Sequence, residues 1–240
     1  MKNIEVSVPQ HLGVILDGNR RLAKRLVKLP WKGHDWGAKK VTEFLSWCRE
    51  LGIQYVTLYS LSIQNIFNRP KNELDYIFKI FKREALELLK PDHDVHKYGI
   101  RVRAIGRLHL LPKELQVLLR KVEKITEKYK NYFLNVAVAY GGQEEITDAV
   151  KDLARKISKG ILKPSQINEN LIRHSLYTNG TPYPDLIIRT GGERRLSNFL
   201  LWQSAYSELY FIDKMWPELS KRDFLKAIKD FQDRERRFGH

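Results

Sequence analysis

The chain has 240 residues and carries 43 Lys and Arg residues against 28 Asp and Glu residues, a formal net charge of +15. Because 42% of its residues are apolar, it can bury a substantial core, which excludes wholesale disorder. The single cysteine, Cys48, excludes a disulfide framework and a cysteine-rich zinc site. The longest charge-free stretch, residues 51–68, contains several polar side chains and so does not supply the roughly 17–25 apolar residues of a membrane span. No apolar secretory core follows the first residues, so we expect a soluble, intracellular protein without a transmembrane segment.

Predicted strands and predicted helices alternate along the chain. Short β-rich runs predict strands at residues 11–16, 54–61, 100–105, 133–139, 185–188 and 208–211. Apolar residues at spacings of three and four predict helices at residues 20–28 (ended by Pro30), 37–51, 73–89, 112–128, 144–158, about 167–177 and from 220 onward. The polar residues 62–70 are predicted to form a loop.

This alternation is typical of βαβ units and predicts an α/β fold with a central, mostly parallel β-sheet flanked by helices. No linker-like composition divides the chain, so we expect one domain over residues 1–240. Ligands of open α/β sheets bind at the carboxyl ends of the strands. Three polar segments that follow strands should therefore meet at one edge: residues 17–21, 62–69 and 189–193.

Positive charge is densest over residues 17–40, where eight cations accompany two acids. Such a patch attracts nucleic acid, an acidic membrane surface or phosphorylated small molecules, although a solvated lysine-rich surface explains the lysines equally well. Arginines and glycine-containing turns at strand ends favour a site for an anion. Neither a P-loop nor a G-x-G-x-x-G motif after a strand is present, which excludes two common phosphate-binding motifs.

Two carboxylates and one histidine are candidates for further chemistry. Asp17, among phosphate-seeking arginines, could bind Mg²⁺ together with substrate phosphates. It could equally form an ion pair with an arginine or cap the following helix. Glu208 is a second candidate metal ligand, or a surface residue at a strand edge. His34, beside the basic segment, could titrate near neutral pH and contact a phosphate.

A set of motifs extends over nearly the whole chain, from about residue 11 to residue 239. They are Asp17-Gly18-Asn19-Arg20-Arg21, Gly33-His34, Asn65 with Asn68-Arg69-Pro70, Ile188-Arg189-Thr190-Gly191-Gly192-Glu193, Arg195-x-Ser197-Asn198-Phe199-Leu200-Leu201-Trp202-Gln203, Glu208-Leu209-Tyr210-Phe211 and residues 234–239. This set resembles the cis-prenyltransferase family, which includes the undecaprenyl diphosphate synthases and their long-chain polyprenyl relatives. Leu22 departs from the pattern where a tryptophan is common, and Gln64 replaces a frequent glutamate.

The resemblance implies a homodimeric, Mg²⁺-dependent transferase in the cytoplasm, with no nucleic-acid partner. It would deliver its product to the membrane and could work at the membrane surface. It would condense isopentenyl diphosphate repeatedly with an allylic starter, farnesyl or geranylgeranyl diphosphate, forming each new double bond in cis. The product would be a long-chain, undecaprenyl-like polyprenyl diphosphate, the precursor of a glycosyl carrier lipid.

The resemblance also assigns roles to single residues. Asp17 would bind Mg²⁺ and help the allylic diphosphate leave, Asn65 would act in removing a proton from the homoallylic partner, and Glu208 would complete the metal environment. The residues expected at the two substrates are Gly18, Asn19, Arg20, Arg21, Leu22, His34, Ser62, Gln64, Arg69, Arg189, Arg195 and Ser197.

A growing apolar chain needs a dry channel, because burying each five-carbon unit contributes about 4 kcal/mol. The predicted helices at residues 37–51 and 73–89 are the expected walls, although ordinary core packing explains their apolar residues as well. Two other functions stay open. One is a basic α/β nucleic-acid-binding protein. The other is a non-catalytic subunit of a two-chain prenyltransferase, and such subunits tend to lack the equivalent of Asp17.

Overall fold

The computed structural model describes residues 8–26, 28–29 and 31–234. Its strands are β1 (His11–Ile15), β2 (Tyr55–Ser62), β3 (Ile100–Ile105), β4 (Tyr132–Tyr140), β5 (Leu186–Arg189) and β6 (Glu208–Phe211). They form one sheet in the order β3-β4-β2-β1-β5-β6, and all neighbouring strands are parallel. The predicted parallel sheet is therefore confirmed, and each predicted strand is present with its ends within one residue.

Helices cover both faces of the sheet in the part of the chain that is described. They are α1 (Asn19–Arg25), α2 (Lys32–Glu50), α3 (Ile63–Asn68), α4 (Lys71–Leu88), α5 (Asp94–Lys97), α6 (Lys113–Thr126), α7 (Gly142–Ser158), α8 (Glu169–Ser175) and α9 (Lys221–Asp233). The predicted helix end at Pro30 and most of the terminal motif at residues 234–239 lie outside the described residues. No described helix is long and apolar enough to cross a membrane.

The predicted loop at residues 62–70 is wrong, because it contains helix α3. Ser62 is the N-cap of this helix, and its Oγ accepts a hydrogen bond from the backbone N–H of Asn65 at 3.0 Å. A serine that can accept a hydrogen bond from the third residue after it is a helix-start signal. The polar composition of the segment concealed this signal.

Helix α2 begins five residues before its predicted start. The glycines near its start lie inside the helix because they allow close packing against another segment. A Cβ atom on Gly33 would lie 1.9 Å from the backbone oxygen of Asn19, and one on Gly37 would lie 2.4 Å from Asn19 Oδ1. The two glycines therefore let α2 pass directly against the start of α1. This contact brings His34 to the carboxyl edge of the sheet.

The sheet is buried on both faces, because alternate side chains of each strand point to opposite layers. One core cluster contains Leu12, Val14, Val56, Leu58, Leu186 and Ile188, with Phe44 of α2 and Phe224 of α9. A second cluster contains the alternate residues Ile15, Tyr59, Ala137 and Ile187, with Phe199 and Leu200. Strand β1 thus lies in the middle of a rigid platform, and the segment after it starts from a fixed position.

The connections leave the sheet in opposite directions on either side of β1, since β2 lies on one side and β5 on the other. Such a point creates a crevice at the carboxyl ends of the strands, where ligands bind in open α/β sheets. The segments after β1, β2 and β5 meet there. Glu208 does not, because it pairs with Leu186 at the start of β5 and so lies at the opposite edge.

We expect Phe44→Ala to lower the free energy of unfolding by about 3–5 kcal/mol, because it removes a fully buried ring. The ring centroids of Trp216 and Phe224 lie 5.3 and 4.9 Å from that of Phe44. Denaturation in guanidinium chloride measures the change. The matched control, Phe67→Ala, removes a ring that is 71% exposed and should change stability by less than about 0.5 kcal/mol. Equal losses in the two variants would contradict this assignment of the core.

Candidate active site

A cavity of about 720 Å³ opens at the carboxyl edge, between the ends of β1, β2 and β5. Every residue predicted to be catalytic or to contact substrate lines it, except Leu22. Leu22 is buried in α1, at 6% exposure, and contributes to packing instead. The cavity is also lined by residues that the sequence did not single out: Ile15, Leu16, Lys24, Tyr59, Ser60 and Asn198.

The turn between β1 and α1 holds Asp17 by its backbone. The N–H of Asp17 donates to Thr190 Oγ1 at 3.1 Å, and the Thr190 hydroxyl donates to the carbonyl of Asp17 at 2.8 Å. The next residue, Gly18, has a φ of 107°, and a Cβ there would lie 2.7 Å from the sulfur of Met215. Only glycine fits this position, so the turn is fixed in a form that starts α1 beside the cavity.

The Asp17 carboxylate lies between two guanidinium groups. Arg189 Nη2 donates to its Oδ2 at 2.8 Å, and Arg21 Nη2 is 3.1 Å from its Oδ1. Gly191, with a φ of 85°, makes room for Arg21, because a Cβ there would lie 2.5 Å from Arg21 Nη2. The ion pair that was one of the alternatives for Asp17 is therefore present in the structure.

A second group of polar atoms surrounds Ser197 on the same side of the cavity. Arg189 Nη1 donates to Ser197 Oγ at 2.7 Å, and Arg195 Nε donates to the same oxygen at 3.2 Å. Arg195 also pairs with Glu193. The side chain of Arg189 is only 5% exposed and joins this group to Asp17.

The third group is organised by Glu73, a buried carboxylate that the sequence analysis did not identify. Its Oε1 lies 3.3 Å from Arg20 Nε, 3.3 Å from His34 Nε2, and in contact with Arg69 Nη1. Its side chain is 3% exposed. The sequence signal was the spacing of four residues between Arg69 and Glu73 at the start of α4, a spacing that brings two helical side chains together.

His34 Nε2 lies 3.0 Å from Arg69 Nη1, which donates, and 3.3 Å from Glu73 Oε1, which accepts, so the tautomer of the ring decides which of the two it bonds. Burial, and secondly the nearby Arg69 guanidinium, lower the pKa of His34 below its usual value, while Glu73 offsets part of the shift. His34 is therefore uncharged near pH 7 and contributes no positive charge to the cavity.

The cavity contains hydrogen-bond donors that the described residues do not use. The Nε atoms of Arg69 and Arg189 are buried and have no hydrogen-bond partner among these residues. A buried donor without a partner is costly, and native proteins rarely leave one unexplained. An anion in the cavity is the kind of partner that satisfies guanidinium donors, often with two bonds at once.

The residues at the cavity also fit a magnesium ion. Asp17 is the one carboxylate that lines the cavity in the described part of the chain, and these residues contain no group of three potential metal ligands. Mg²⁺ is commonly held by one or two carboxylates plus substrate phosphates, so a single aspartate beside a diphosphate site suits it. The prediction that Glu208 binds the metal together with Asp17 is wrong within one chain. Glu208 lies at the opposite edge of the sheet, where Arg234 Nη1 donates to its Oε2 at 2.6 Å.

An apolar cavity of about 230 Å³ continues from the polar one. The two share Leu16, Asn19, His34 and Ser60 as lining residues. The apolar cavity runs between the sheet and helices α2, α4 and α6, at the position predicted for a tunnel. Such an arrangement suits a ligand with an anionic head and an apolar tail.

Comparisons with known proteins agree with this class of ligand. A family model described as putative undecaprenyl diphosphate synthase matches residues 15–239. A Methanopyrus kandleri protein named tritrans,polycis-undecaprenyl-diphosphate synthase (geranylgeranyl-diphosphate specific) is 52% identical over 98% of this chain and 86% of its own length.

Two solved structures each match 98% of this chain and their whole length. Lavandulyl diphosphate synthase from Lavandula x intermedia, in complex with dimethylallyl diphosphate, has a TM-score of 0.91 and 36% identity. A probable undecaprenyl diphosphate synthase from Campylobacter jejuni has a TM-score of 0.79 and 34% identity.

The chain therefore belongs to the undecaprenyl diphosphate synthase family of cis-prenyltransferases and is an enzyme of that family.

We expect Glu73→Gln to lower the pKa of His34 further, because the substitution removes the charge that favours the protonated ring. An NMR titration of the ring protons measures this pKa. Glu87→Gln is the control, since Glu87 lies on the same helix and pairs with Lys90. A His34 pKa that rises in Glu73→Gln, or that moves equally in both variants, would contradict the role given to Glu73.

Proposed function

We propose that the enzyme condenses isopentenyl diphosphate repeatedly with an allylic diphosphate and forms each new double bond in cis. The observation that carries this proposal is the junction of an arginine-lined cavity with an apolar one, since the substrate has an anionic head and a hydrocarbon tail. Geranylgeranyl diphosphate is the proposed starter, ahead of farnesyl diphosphate. The basis is the name of the 52% identical M. kandleri relative. The proposed product is a long-chain, undecaprenyl-like diphosphate, the precursor of a glycosyl carrier lipid.

Separate groups of residues serve the two substrates in this proposal. Gly18 through Arg21, with His34 and Arg69, hold the allylic diphosphate at the start of α1, where free backbone N–H groups and arginines favour an anion. Arg189, Arg195 and Ser197 hold isopentenyl diphosphate. Support comes from the hydrogen bonds that already join these three side chains.

Loss of diphosphate from an allylic carbon leaves a carbocation and a highly charged leaving group. Arginines positioned before the reaction stabilise that developing negative charge without reorganisation. Mg²⁺, held by Asp17 and the substrate phosphates, would supply Lewis-acid stabilisation of the leaving group. Asn65, on α3 and at the cavity wall, is the proposed residue for proton removal, with Ser62 and Gln64 beside it.

The enzyme is further proposed to act as a homodimer in the cytoplasm. In a dimer, the second subunit would give Glu208 new neighbours. Glu208 lies at the start of the edge strand β6, away from the cavity of its own chain. Light scattering coupled to size-exclusion chromatography tests the dimer.

We expect Asp17→Asn to reduce isopentenyl incorporation at least about a hundredfold, because it removes the carboxylate charge while leaving an acceptor for Arg189. Incorporation of labelled isopentenyl diphosphate into an extractable lipid is the measurement. Asp152→Asn is the control, because that aspartate pairs with Lys156 on the surface of α7. Full incorporation by a folded Asp17→Asn variant would remove Asp17 from the mechanism.

We expect chelation of divalent metal to abolish incorporation and Mg²⁺ to restore it, because the Asp17 carboxylate and the diphosphate are both negative and need a cation between them. Supplying farnesyl or geranylgeranyl diphosphate, and sizing the dephosphorylated products, identifies the starter and the chain length. A higher kcat/KM with farnesyl diphosphate would correct the proposed starter. No incorporation with either, together with nucleic-acid binding that weakens steeply with salt, would favour the nucleic-acid-binding alternative.

A further inference from the structure

The segment that carries Ser197 follows a backbone path that side chains rarely adopt. Ser197, Asn198 and Leu200 have φ values of 50°, 66° and 45°. Non-glycine residues persist in this left-handed region only when their surroundings hold them there, and they concentrate at functional sites. The contacts around Asn198 show what holds this segment.

Asn198 is joined to the start of helix α7 by three hydrogen bonds. The N–H of Gly142 donates to its carbonyl at 2.7 Å, and the N–H of Gln143 donates to its Oδ1 at 2.8 Å. Asn198 Nδ2 in turn donates to Glu144 Oε2 at 2.8 Å. The first N–H groups of a helix have no partner within the helix. Asn198 therefore caps α7 from a segment more than fifty residues away in the chain.

The approach of this segment to α7 depends on two glycines. A Cβ on Gly141 would lie 2.6 Å from Asn198 Nδ2, and one on Gly142 would lie 2.8 Å from Leu201 Cγ. On the far side of Asn198, the side chains of Phe199 and Leu200 are fully buried. Asn198 is thus held between the helix start and the core.

We infer that Asn198 is a positioning residue for the homoallylic diphosphate. It directly follows Ser197, whose Oγ receives hydrogen bonds from Arg189 and Arg195. A change in the backbone at Asn198 moves this oxygen, and the two arginines lose the group that aligns them. The inference rests on the proposed function, because it takes these three side chains as the isopentenyl diphosphate site.

Selectivity between the two substrates follows from the separate supports of the two groups. The allylic group is organised by Glu73 of α4, which contacts Arg20, His34 and Arg69. The hydrogen bonds of Asn198 go instead to the start of α7. Loss of the Asn198 side chain therefore weakens isopentenyl diphosphate binding and leaves allylic binding nearly unchanged.

Isothermal titration calorimetry with isopentenyl diphosphate alone, and then with geranylgeranyl diphosphate alone, tests this inference without turnover. We expect Asn198→Ala to raise the Kd for isopentenyl diphosphate about tenfold, through the loss of two side-chain hydrogen bonds, and that for geranylgeranyl diphosphate less than about twofold. Asn168→Ala is the matched control. Asn168 Oδ1 caps α8 by accepting from the N–H of Leu171 at 2.9 Å, and Asn168 does not line the cavity.

A rescue experiment separates positioning from general destabilisation. Asn198→Asp places a carboxylate against Glu144 and should weaken isopentenyl diphosphate binding about as much as Asn198→Ala. Combining Asn198→Asp with Glu144→Gln exchanges donor and acceptor in the same hydrogen bond. The double variant should recover a Kd within about threefold of the wild type.

Three results would overturn the inference. They are an unchanged Kd in a folded Asn198→Ala variant, equal weakening of both substrates, and no recovery in the double variant. Failure of the wild-type protein to bind isopentenyl diphosphate would overturn the proposed function and this inference together. That failure is distinguishable, because it is seen before any substitution is made.

Discussion

The ion pair between Asp17 and Arg189 fixes the segment after β1 against the segment after β5 at the centre of the site. Ile15 and Arg189 are register partners at the ends of β1 and β5, so the sheet itself sets the distance between the two segments. The guanidinium of Arg189 is nearly buried and uses Nη2 for Asp17 and Nη1 for Ser197. A buried guanidinium requires such partners, because an unpaired charge inside a protein is strongly destabilising. One side chain thus joins the proposed metal position to the proposed homoallylic position.

Two acids make the basic cavity possible. Arginines gathered around one cavity repel one another in the absence of an anion, and the carboxylates of Asp17 and Glu73 offset that repulsion. Each carboxylate contacts more than one cationic side chain, so it also fixes their orientation. Donors fixed in this way need no reorganisation when negative charge develops on the leaving group. The carboxylates that hold the arginines in place in the free enzyme would therefore also keep them aligned for the proposed reaction.

The sequence predicted the sheet well because each strand is a short apolar run between breakers, and it predicted the residues around the cavity because they follow those strands. It failed where a contact between distant segments decides the outcome. Gly33 lies inside α2, where the absence of a side chain leaves room for the backbone of Asn19. No local sequence pattern reveals this contact. The burial of Glu73 was not predictable, because two of its three partners, Arg20 and His34, come from distant parts of the chain. Glu208 was expected to bind metal together with Asp17, although strand direction places it at the opposite edge of the sheet.

The division between a polar and an apolar cavity also explains how chain growth would proceed under the proposed function. The diphosphate head stays among the arginines while each new unit adds length only on the apolar side. Burial of one five-carbon unit contributes about 4 kcal/mol, which slows release of an intermediate roughly a thousandfold for each unit added. This gain continues only while the lining is apolar. At the far end the lining includes Arg49, His93 and Asp94, so a chain that reaches them gains nothing from another unit. Under the proposed function, the polar end of the apolar cavity would therefore limit product length.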